Sequence, residues 1–149
     1  MSLLEKLQSD MKDALRKGDQ VRLSVLRMAL SSINYAEIEQ QKKLDDAAVI
    51  TVLAKEAKKR RESIEAFEKG NRPELAAKEN AELAILATYL PAQMGRDEIV
   101  ALARKIITES GASGPGDKGR VMSQLMPHTR GKADGKLVSD IVVELLSGS

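Results

Sequence analysis

Apolar residues recur at three- and four-residue spacing along most of the chain, the period of helices that bury one face. Leu3, Leu7, Met11 and Leu15 mark a first helix, and after the Gly18-Asp19 interruption Leu23, Leu26, Leu30 and Ile33 mark a second. Asp45 or Asp46 stands where a third helix needs its N-cap; Val49, Leu53, Ala57, Ile64 and Phe67 then share a face, and Gly70 ends it. Pro73 suits the first turn of a fourth helix carrying Leu75, Leu83, Leu86 and Leu90. The texture changes at Leu90-Pro91-Ala92-Gln93-Met94-Gly95, where a proline and a glycine interrupt the pattern. Three shorter patterns follow: Ile99, Leu102, Ala103 and Ile106; Val121, Met122, Leu125 and Met126; Leu137, Val138, Ile141, Val142 and Leu145. No strand-like alternation of useful length occurs. The pattern predicts an all-α protein: an N-terminal helical hairpin domain of about four helices over 1–92, then a small three-helix domain over 93–149.

Composition narrows the chemistry. With 42% hydrophobic and 31% charged residues but a net charge of only +2, the 149-residue chain is built to fold. It has no cysteine and one histidine, His128, which excludes disulfides, thiolate catalysis, cysteine-ligated zinc, iron–sulfur clusters and a histidine-rich metal site. No cofactor or metal is expected. The aromatic residues are Tyr35, Phe67 and Tyr89 alone, too few for a row of base-stacking rings. No run of about 18 apolar residues and no signal-like h-region is present, so no membrane partner and a cytoplasmic location are expected.

Charge is informative only locally, since 16 basic side chains oppose 15 acidic ones through Leu90 and 8 oppose 7 beyond it. Lys55, Lys58, Lys59, Arg60 and Arg61 spread around the third helix, where Glu56, Glu62 and Glu65 can meet them; a solvated, salt-laced face is the simplest reading, with an anionic partner as the alternative. Glu79 and Glu82, with no histidine arranged beside them, read as surface or buried-network groups. Met122 and Met126 read as core, and His128 as a solvent-facing turn residue rather than a catalytic base. Gly114-Pro-Gly-Asp-Lys-Gly119 lacks the spacing of a phosphate-binding P-loop. In Gly131-Lys-Ala-Asp-Gly-Lys136, glycines flank basic residues at a helix start. That arrangement suits an anion, although Asp134 as a helix cap is an equally good account of it. Catalysis is specified nowhere.

Glu79, Glu82-Leu83, Tyr89-Leu90-Pro91 and Gln93, then Lys118-Gly119, Val121-Met122, Pro127, Gly131, Lys132-Ala133-Asp134-Gly135-Lys136 and Val138-Ser139, taken in this order, resemble the GatB/YqeY family over essentially the whole chain. The resemblance implies an all-helical two-domain fold whose C-terminal part is similar to the tail domain of the GatB subunit of glutamine-dependent tRNA amidotransferase, a carbon–nitrogen ligase. That tail contacts tRNA, while the kinase and glutaminase chemistry lies in parts with no counterpart here. The family pattern often carries proline after the Asn or Asp; here Gly135 stands there, a looser helix start. On this resemblance the chain is expected to be a tRNA-associated module, with Lys118, Arg120, Arg130, Lys132 and Lys136 on phosphates and the amides near Gly135 adding anion contacts. Alternatives are a helical protein-interaction adaptor without RNA contact, or an accessory of an amidotransferase that needs partner subunits.

Overall fold

The computed structural model describes residues 1–148; Ser149, the last residue of the expected second domain, lies outside them. The protein is all-α. Its helices are α1 (Leu3–Lys17), α2 (Gln20–Gln40), α3 (Asp46–Lys69), α4 (Pro73–Ala87), α5 (Arg96–Ser110), α6 (Lys118–Thr129) and α7 (Gly135–Leu146), with a 3₁₀ turn at Pro115–Asp117 before α6. No strand occurs among the described residues.

Local chemistry explains where the helices begin and end. The Ser2 side chain accepts from the Glu5 amide to start α1, and Gly18, at φ 71°, closes it in the left-handed conformation glycine tolerates. Asp19 caps α2 through the Arg22 amide. Asp45, of the two candidates, caps α3 through the Ala48 amide at 2.9 Å, while Asp46 accepts from the Leu3 amide and ties the start of α3 to that of α1. Pro73 stands in the first turn of α4, where its missing N–H costs nothing.

Two compact units result, Met1–Leu90 and Pro91–Ser149. In the first, α1 packs on α2 and α3 on α4, and α2 bridges the two hairpins. Its core includes Leu7, Leu26, Ile33, Val49, Leu53 and Leu86. In the second, α5, α6 and α7 pack on one another around Ile99, Val121, Leu125, Val138 and Ile141.

Several expected apolar positions prove peripheral. Leu15 is 57% exposed and Leu75 37% exposed, and Ile64 and Phe67 are only partly buried, because the inner face of α3 continues from Ala57 to Arg60. Arg60 belongs to the interior and not to a solvated charge run. Met122 packs against the second core, with Met126 half-buried nearby in sequence. His128 is exposed as expected, but it sits in the last turn of α6, which runs through Pro127 to Thr129, and not in a turn.

Candidate nucleic-acid interface

The connection between α6 and α7 is short and closely tied. Gly131 adopts φ 77°, and past it the Lys132 and Ala133 amides both donate to the Thr129 carbonyl, at 2.9 and 3.0 Å. Thr129 is itself buried. From the other side, the Met94 amide donates to the Lys132 carbonyl at 2.8 Å, and Gln93 Nε2 donates to the Gly131 carbonyl at 3.1 Å. The Pro91–Gly95 segment thus clips the loop to the start of the unit. The Asp134 carboxylate accepts from the Lys136 amide at 3.2 Å and caps α7. Capping is therefore the first role of Asp134, and it occupies one of the amides an anion would need.

Arg130, Lys132 and Lys136 are exposed around this loop, and none of the three is in an ion pair among the described residues. Gly135, also exposed, is the first residue of α7 and leaves that helix start uncovered by a side chain.

Lys118 and Arg120 are elsewhere. They lie in the first turn of α6, about 15 to 18 Å along the helix axis from Arg130 at 1.5 Å per residue. The six candidate positions form two groups, one at each end of α6. The first is also partly neutralised, because Asp117 lies 3.4 Å from Arg120. The Ser113 amide, donating to Asp117 at 2.9 Å, holds that carboxyl below its ordinary value, with Arg120 as a lesser cause. The loop group is the more exposed and the less neutralised of the two.

The first unit contains polar residues the sequence did not bring together. Arg60, only 9% exposed, pairs through Nη1 with Glu79 at 3.2 Å and with Glu82, and its Nη2 lies 3.4 Å from the Met28 sulfur. Its Nε is buried without a hydrogen-bond partner among the described residues. One cation thus holds two carboxylates between α3 and α4, the buried-network alternative for Glu79 and Glu82. The signal in the sequence was the period: Val49, Leu53, Ala57 and Arg60 continue one stripe. Tyr89, 7% exposed, donates to Asp10 at 2.6 Å, and its hydroxyl is pushed up to about 12, by burial first and Asp10 second. Asp10 in turn lines an open groove of about 320 Å³ with Asp13, Asp19, Lys17 and Arg22. Among the described residues no group of three or more metal-ligating side chains is assembled, and no helix is long and apolar enough to cross a membrane.

Comparison with known proteins places this architecture in a family. A match to Yqey-like proteins spans residues 4–146. Among curated relatives, "Altered inheritance of mitochondria protein 41, mitochondrial" of Pyrenophora tritici-repentis is 30% identical over 97% of this chain and 81% of its own length. The proteins of that name from Lachancea thermotolerans and Kluyveromyces lactis are each 35% identical over 73% of this chain, which spans 60% of each of them. These names contradict the expected cytoplasmic location. Compartment is set by address segments and not by the helical pattern or composition from which that expectation was drawn. With its match running through both helical units, the chain belongs to the YqeY-like family.

Proposed function

We propose that the chain is a tRNA-binding module without catalytic chemistry of its own, which presents the α6–α7 loop to the phosphate backbone. The observation that carries this reading is the clipped loop. Hydrogen bonds from Met94 and Gln93 fix its backbone, while Arg130, Lys132 and Lys136 remain exposed and outside ion pairs among the described residues. A fixed backbone lowers the ordering cost of binding, and exposed cations gain by releasing counterions from RNA. The resemblance of this segment to the amidotransferase tail supports tRNA as the RNA. With Tyr89 buried and Tyr35 in the other unit, recognition rests on backbone shape and not on stacked bases.

The test is an anisotropy titration of tRNA, including organellar species because the relatives carry mitochondrial names, against the wild type and an Arg130→Ala/Lys132→Ala/Lys136→Ala variant. Three phosphate contacts predict a log K against log salt slope of about −2 to −3; adding Lys118 and Arg120 steepens it to roughly −3.5 to −4.5. Loss of binding in the folded triple variant supports the reading. A slope near zero, or no binding at low salt, overturns it and favours a protein-interaction adaptor.

A further inference from the structure

One face of α2 lies in the core through Leu23, Leu26 and Ile33. A second stripe faces outward. Val21, Ser24, Met28, Ser31, Tyr35 and Ile38 follow one another at alternating spacings of three and four, the a and d positions of a heptad repeat, and all six are exposed. The four large side chains are 48, 52, 70 and 68% accessible in chain order, so the core leaves about half or more of each uncovered. Between these knobs are holes: grooves of about 440 and 460 Å³ open along the helix, Ser24 lining the first and Ser31 lining both. The Met28 sulfur, resting 3.4 Å from Arg60 Nη2, is positioned before any partner arrives.

The stripe is complementary to itself when reversed. When two copies of α2 run antiparallel with a positions facing d positions, one register sets Met28 against Ser31 of the second copy, Tyr35 against Ser24, and Val21 against Ile38. Two-fold symmetry repeats each pair, as an isologous contact requires. Large side chains meet serine holes, and the two apolar ends meet each other. In the same register Arg27 falls beside Asn34 of the second copy, so no like charges within α2 itself are opposed.

We propose that this stripe is a homodimer seam closed by α2 of a second copy of the chain. The seam is about 26 Å long at 1.5 Å per residue. Burying its four large side chains with the flanking serines covers about 500 Å² per copy. The total of about 1,000 Å² reaches the lower bound for a specific interface, the size range of transient association. The inference does not depend on RNA binding, because the seam lies wholly within Met1–Leu90.

Analytical ultracentrifugation of the full chain across the micromolar range tests it. The wild type is expected to pass from monomer to dimer with concentration. Ser31→Glu, a change at an exposed position that circular dichroism should show to be folded, is expected to weaken dimerisation at least tenfold, whereas Ser31→Ala preserves it. Because the chain has no cysteine, register can be read directly. A Met28→Cys chain mixed with a Ser31→Cys chain should give more product with a short bismaleimide than either chain alone. A wild type that stays monomeric throughout, or a dimer indifferent to Ser31→Glu, overturns the proposal; capture of an unrelated helix by a monomeric chain counts as the first outcome.

Discussion

Arg60 shows how one side chain's role depends on what surrounds it. In the sequence it is one of five cations within seven residues, and such runs are usually solvated; its place on the Val49-Leu53-Ala57 stripe puts it inside. Removing it would leave Glu79 and Glu82 facing each other at 23 and 12% side-chain exposure with no countercharge. Arg60→Ala is therefore expected to destabilise the first unit by about 3 kcal/mol, read as a lowered urea midpoint, while Arg60→Met combined with Glu79→Gln and Glu82→Gln recovers most of the loss. Tyr89 gives a pH signature of definite sign. Its folded value of about 12 lies above the ordinary 10.0, so the stability it contributes is complete below pH 10 and is lost as pH rises through about 12. A Tyr35→Phe chain isolates Tyr89 in a tyrosinate absorbance titration, and a transition at the ordinary value there would refute this.

At the scale of elements, helix signals were legible wherever they were local. Asp45, Pro73 and Asp134, the starts read from the sequence, all stand where helices begin, because a capping side chain or a first-turn proline is a signal confined to a few residues. Asp134→Ala should cost about 1 kcal/mol in the second unit by uncapping α7, measured by denaturant unfolding. The same change bares the Lys136 amide and removes a negative charge beside the loop, so tRNA affinity should rise or hold even as stability falls. The α6–α7 loop was harder to read. Its glycines and cations were visible, but its anchor is Gln93, 38 positions from Gly131, and no local pattern announces a contact of that span. Gln93→Ala is expected to weaken tRNA binding a few-fold with little change in salt slope, since it loosens the loop without removing a charge. Pro127 misled in the opposite direction. It reads as the end of a helix, yet α6 continues for two more residues because its last turn can forgo one amide bond.

At the scale of the molecule, each unit has its own core and each can be tested alone. A fragment beginning at Pro91 keeps the clip from Gln93 and Met94, and is expected to stay helical and to bind tRNA with the salt slope of the full chain. A fragment that folds but does not bind would move the RNA contact to the first unit. By itself the sequence determined the all-helical class, several helix starts, most of the apolar faces and family membership, because periodicity, capping and ordered motifs are local properties of a chain. Only the tertiary structure decided that Arg60 is interior, that Lys118 and Arg120 stand a helix length from Arg130, and that α2 carries an apolar stripe the core does not use. Each of these depends on which side of a helix its neighbours cover, and that is fixed by packing between segments distant in the chain.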